Sequence, residues 1–206
     1  MLDTNIRDHY QKIFITPFLK LKFIKNINPH FITFVALTFG IFAFFFIISD
    51  HKYLAVSCIV LSGYFDTLDG SIARLNNQES NLGSVFDIFS DRFVEMLIIL
   101  ALFLIDPTSR AFLSFFMIAG CYLCITSFLV VGIFEKNLGV KSFHYSSGII
   151  ERSEAFIFFI SMILFPNIFS FLAFCFSVLV TATSFIRIYE FYKKSKLKKS
   201  IDLDTR

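Results

Sequence analysis

Six long apolar runs, each closed by a short polar stretch, organise this chain. They predict helices over 31–49, 53–75, 83–105, 109–134, 149–165 and 168–190. Most reach the ~20 residues that a helix needs to cross a bilayer. The fifth run is different, because Glu151, Arg152 and Glu154 crowd its start and Pro166 closes it. Pro166-Asn167 predicts a tight turn into the sixth. Ahead of the first run, residues 9–25 set Ile13, Phe14, Phe18, Leu19 and Phe23 against Lys12, Lys20, Lys22 and Lys25, a pattern that predicts an amphipathic helix lying on the membrane surface. Five lysines between Lys193 and Lys199 predict a solvated end beside the lipid. The expected architecture is an all-α integral membrane protein with six transmembrane helices and an N-terminal amphipathic surface helix. It forms a single domain over 1–206, with a juxtamembrane segment 1–30, a core 31–190 and a basic tail 191–206.

Composition agrees with the pattern. The chain is 56% hydrophobic, with 31 Phe, no Trp and a mean hydropathy of +0.71, far from a soluble average. Residues 1–30 mix charges with short apolar runs and lack the long apolar segment of a secretory signal. Cys121-x2-Cys124 has half the spacing of a zinc site, but no second pair or nearby His completes it. All four cysteines are expected to pack within membrane helices.

The net charge is only +3, yet the basic residues are unevenly placed. With six spans, one side collects 17 of the 19 Lys and Arg, leaving Lys52 and Arg110 on the other. That bias puts both termini in the cytoplasm, and basic clusters beside apolar spans suit an anionic lipid surface rather than nucleic acid.

Topology gives meaning to four acids. Asp66, Asp69, Asp87 and Asp91 lie within 26 residues, with strongly apolar sequence on both sides, and each aspartate at a helix centre costs about 2.5–3.5 kcal/mol to insert. Asp66 and Asp69 share a helix face, as do Asp87 and Asp91. Gly70 and Ala73 continue the first face, and the polar stretch 76–82 predicts a hairpin that brings the carboxylates together at the cytoplasmic interface. Carboxylate oxygens suit Mg2+, Mn2+ or Ca2+ rather than zinc. Four of them have room for two ions, an arrangement that clamps a phosphoryl displacement. The small residues leave space for a nucleotide, Arg74 can meet a phosphate oxygen, and Gly83 predicts close approach of the third helix to the second. Spacing alone leaves an alternative open, a membrane cation carrier that uses the aspartates as a transport site.

The frame Asp66-x2-Asp69-Gly70-x2-Ala73-Arg74-x8-Gly83-x3-Asp87-x3-Asp91 matches all eight fixed positions of a signature, and by it the chain resembles the CDP-alcohol phosphotransferases. The resemblance implies an integral membrane enzyme of phospholipid synthesis that moves a phosphatidyl group from CDP-diacylglycerol to a small polar alcohol and releases CMP. It further implies that Asp66, Asp69, Asp87 and Asp91 bind a pair of divalent ions, Mg2+ or Mn2+, and that Asp91 is the catalytic base. Asp66, Asp69, Gly70, Ala73, Arg74 and Thr33 would line the CDP site, membrane lipids would surround a homodimer, and a bacterial inner membrane would hold it with the active site facing the cytoplasm. One departure is Pro29-His30-Phe31-Ile32-Thr33, where the family often has Asn after the proline. His30 is expected as a cap or interfacial residue.

Gly148-x3-Arg152-x-Glu154 resembles an element of the inositol-phosphate and archaeal-lipid branches. By that partial match Arg152 would bind an anionic acceptor, glycerol 3-phosphate or an inositol phosphate, with Lys136 or Lys141 assisting. A solvated helix cap explains the same residues otherwise. Arg187 is a further expected phosphate contact or an interfacial anchor.

Overall fold

The computed structural model describes residues 27–134 and 148–204, with side chains through Lys196. All regular structure among them is helical: α1 Pro29–Ile48, α2 Lys52–Leu75, α3 Asn81–Ile105, α4 Pro107–Phe134, α5 Arg152–Leu164, a 3-10 turn Pro166–Ile168 and α6 Phe169–Asp204. The expected surface helix at 9–25, and Lys136 and Lys141, lie outside the described residues.

Polar residues outside the apolar runs set the helix starts, so three helices begin two residues earlier than hydropathy predicts. Asn28 caps α1 by accepting from the His30 backbone N–H (3.0 Å), with Pro29 in the first turn. Ser80 caps α3 through the Gly83 N–H (3.0 Å). Asp106 accepts from the Ser109 N–H (3.2 Å) and from the hydroxyls of Ser109 (2.5 Å) and Thr108 (2.9 Å), just ahead of Pro107. These bonds hold the exposed Asp106 carboxyl below its usual range. Both α1 and α2 stop at a left-handed polar residue, Asp50 (φ 57) and Asn77 (φ 53). In each stop the N–H of that residue and of the next turn back onto the helix, for example Gln78 N–H to Ala73 O (2.8 Å).

Three helices, Pro29–Ile48, Pro107–Phe134 and Pro166–Lys196, are long and apolar enough to cross a membrane on those criteria alone. α2 and α3 have the length, 24 and 25 residues, but carry the charged cluster. α5 has 13 residues and covers only about 20 Å, so the expected span over 149–165 is shorter than predicted. α6 runs past residue 190 to Asp204; the basic tail continues the helix, as lysine-rich sequence readily does.

Packing places the cleft. α1 packs along both α2 and α3, α4 packs on α6, and α5 bridges α2 and α6. α2 and α3 make at most marginal contact with each other. They are two walls held by α1 instead of a packed hairpin. Small buried residues on α1, Ala36, Gly40 and Ala43, allow the close helix approach favoured in membranes. A Cβ on Gly40 would run into Val94 of α3. Gly83 behaves differently from expectation, since a Cβ there would meet Ser80 Oγ (3.2 Å) and His30 Cε1 (3.4 Å). Its close approach is to the start of α1, not to α2. At the opposite end, buried Arg110 donates to Leu102 O (3.0 Å) and lies 4.3 Å from the centre of the Phe169 ring, satisfying a terminal carbonyl of α3.

Candidate active site

A cavity of about 710 Å³ opens between α2 and α3 and is closed by α1, α4, α5 and α6. Helical spacing delivers the acids as predicted. Asp66 and Asp69 face it from α2, and Asp87 and Asp91 from α3. Asp66, Asp69 and Asp87 offer carboxylate oxygens all within 4.8 Å of one another. An all-carboxylate oxygen set at that spacing fits a hard divalent cation.

Asp91 takes a different partner. Its Oδ1 lies 2.5 Å from Arg152 Nη1, which also bonds Asp66 Oδ2. Arg152 therefore ties α2 to α3 across the cleft and lies 5.2 Å from the Phe156 ring centre. The segment leading into α5 aims it there. Ile150 N–H donates to Thr183 Oγ1 of α6 (3.2 Å). A Cβ on Gly148 would collide with Thr183 Cγ2 and lie 3.3 Å from Arg187 Nη2, so only glycine lets the strap sit this close. Glu154 accepts from the Glu151 N–H (3.2 Å), closing the first turn of α5.

Thr33 lines the cavity, but its hydroxyl is engaged: it donates to Asp69 Oδ2 and approaches Pro29 O (3.2 Å). Asp69 is only 5% exposed, so this bond fixes a buried carboxylate. A Cβ on Gly70 would meet only the Arg74 guanidinium, 3.4 Å at the nearest, and Ala73 lines the same wall. Arg74 Nη2 donates to Ser71 Oγ (3.3 Å). His30 is exposed, edges against Phe86 with ring centres 6.2 Å apart and also lines the cavity; the cap itself is Asn28. Arg187 is buried within the protein, with Nη1 donating to Cys124 O (3.2 Å) and lying 3.3 Å from Cys124 Sγ.

Sequence reasoning missed Glu95. It is 8% exposed and lines the cavity one helical turn beyond Asp91, paired with Arg92 Nη1 (2.5 Å) and accepting from Cys121 Sγ (3.4 Å). The signal was present, as a lone acid inside the apolar run 93–105 on the face of Asp87 and Asp91.

Comparison with known proteins identifies the family. The family model for CDP-alcohol phosphatidyltransferase matches residues 26–186. "Inner membrane protein YnjF" of Escherichia coli (strain K12) is 27% identical over 81% of this chain and 84% of its own length. "CDP-diacylglycerol--inositol 3-phosphatidyltransferase" of Rattus norvegicus is 34% identical over 42% of this chain and 39% of its own length. The human enzyme of that name is 31% identical over 50% of each chain. The alignments to the inositol enzymes thus span half or less of their lengths. With the matched region running from the Asn-Pro cap of α1 into α6, this integral membrane chain belongs to the CDP-alcohol phosphatidyltransferase family.

Proposed function

We propose that the protein transfers the phosphatidyl group of CDP-diacylglycerol to the hydroxyl of a polar alcohol, releasing CMP, at the cytoplasmic face of a bacterial inner membrane. The observation that carries this reading is the grouping of Asp66, Asp69 and Asp87 beside Asp91 and Arg152 in one cavity. Asp66, Asp69 and Asp87 would hold a divalent ion, with Asp91 reaching a second, and such ions would supply charge neutralisation for the pyrophosphate and the leaving CMP. Gly70 and Ala73 leave the α2 wall open to the nucleotide, and Arg74 meets a phosphate oxygen. Asp91 accepts the proton of the acceptor hydroxyl as its oxygen attacks the β-phosphorus. Thr33 acts by holding Asp69 in place.

Arg92, Arg152 and Arg187 are buried or half-buried cations lining the cavity, and Lys136 and Lys141 precede Arg152 in sequence. Arginine in such a setting suits a phosphate-bearing acceptor, glycerol 3-phosphate or an inositol phosphate. A cation carrier is disfavoured because Arg152 places a fixed positive charge between the carboxylates such a carrier would need. Purified protein in lipid nanodiscs, given Mg2+ or Mn2+, CDP-diacylglycerol and a panel of alcohols, is expected to release CMP with at least one acceptor. Absence of CMP with every acceptor, together with cation flux in liposomes, would favour the carrier.

A further inference from the structure

Beyond Asp91 the cavity continues to a second polar wall. Glu95 lies one turn further along α3, on the same face. Its Oε2 meets Arg92 Nη1 at 2.5 Å and its Oε1 accepts from Cys121 Sγ at 3.4 Å. Three residues along α4 from Cys121, the Cys124 carbonyl and sulfur take Arg187. An acceptor on α3, Glu95, and a donor on α6, Arg187, are therefore held against neighbouring turns of α4, both lining the cavity.

Fold stability gives no reason for this placement. The Arg92–Glu95 pair joins residues i and i+3 of one helix, so it fastens no two elements together. Its tie to α4 is a thiol, a weak donor. Taking a carboxylate out of water is costly, and a pair whose arginine is 35% exposed offsets little of that cost. An ionised carboxylate offers about four lone-pair sites, and the two protein donors leave others directed at the cavity.

We propose that Glu95 is a specificity-determining residue that accepts a hydrogen bond from a second hydroxyl of the acceptor, so that the chamber takes polyols in preference to alcohols with one hydroxyl. The assignment rests on the transferase reading. An acceptor whose reacting hydroxyl sits at Asp91 places a neighbouring hydroxyl within one helical turn, the distance to Glu95. Arg92 orients the carboxylate, and Arg187 on the facing wall suits an anionic group on the same molecule.

Direct binding tests this without requiring turnover. Protein in nanodiscs loaded with Mg2+ and CDP-diacylglycerol is titrated calorimetrically with myo-inositol 1-phosphate, glycerol 3-phosphate and 2-hydroxyethyl phosphate, the last carrying a single hydroxyl. At least one polyol is expected to bind more tightly than 2-hydroxyethyl phosphate. E95Q should weaken that polyol about tenfold, the worth of one hydrogen bond to a charged group, leaving 2-hydroxyethyl phosphate and CDP-diacylglycerol binding unchanged. E95D, which keeps the carboxylate but shortens its reach, should fall between, and its smaller loss confined to the polyol carries the test if E95Q does not fold. Equal loss for both probe classes in the folded variants, or no preference for polyols in the parent protein, overturns the proposal. Polyol binding without CMP release would count against the transferase reading instead.

Discussion

Replacing Thr33 by valine removes one hydrogen bond and little else. Valine keeps the β-branched shape, so the packing of α1 is retained, while Asp69 loses the hydroxyl that donates to its Oδ2. At 5% exposure, water cannot replace that donor. A hydrogen bond to a charged group is worth about 1.5–3 kcal/mol, which corresponds to about 10- to 100-fold in an equilibrium constant. Loss of a hydrogen bond that orients a metal ligand typically costs about the same, 10–100-fold in metal affinity or activity. T33V is therefore expected to raise the Mn2+ concentration for half-saturation by about tenfold or more, read by electron paramagnetic resonance of free Mn2+ and by the Mn2+ dependence of CMP release. Thr38→Val is the control, since Thr38 bonds only the Phe34 carbonyl of its own helix (2.8 Å) in exposed surroundings; its midpoint should not move. A T33V midpoint equal to that of T38V would refute the view that Thr33 acts through Asp69.

Three further outcomes follow from the same structure. Gly40→Ala drives a methyl into Val94, whose Cγ1 lies 2.9 Å from the added atom. Thermal melts in detergent should show about 1–3 kcal/mol of destabilisation, partly recovered by adding Val94→Ala. Gly148→Ala should push the strap from Thr183 and Arg187, raising KM for a phosphate-bearing acceptor while CDP-lipid affinity, measured separately, stays constant. Asp106 is held below its usual range by the bonds from Ser109 and Thr108. Its stabilising contribution is complete above the unfolded pKa of about 3.9 and is lost as pH falls through the lower folded value. Melting temperature followed from about pH 6 downward should therefore decline less steeply in Asp106→Asn than in the parent.

The aspartate cluster was legible because intervals of three and four residues fix a helix face regardless of what surrounds it. What each face packs against was not. The same spacing is compatible with α2 and α3 in contact or apart, and only the small-residue edge of α1, which takes Val94 against Gly40, decides for two walls with a cavity between them. Gly83 was assigned the wrong neighbour for this reason. Asn28, Ser80 and Asp106 lie outside the apolar runs, so hydropathy could place helix starts only to within two residues. The fifth span was overestimated because Ile149 and Ile150 continue its apolar run, although their backbone is the strap bonded to Thr183. Glu95 escaped notice because one acid barely lowers the mean of a run as apolar as 93–105, whereas its position four residues after Asp91 carries the information.

The central claim is that Asp91 takes the proton of the acceptor hydroxyl beside an aspartate-held divalent ion. The most direct measurement compares parent and Asp91→Asn protein in nanodiscs, following CDP-diacylglycerol binding and CMP release together with an acceptor that the parent uses. The account predicts that D91N binds the CDP-lipid with near-parental affinity and releases no measurable CMP. Near-normal turnover in D91N would contradict it.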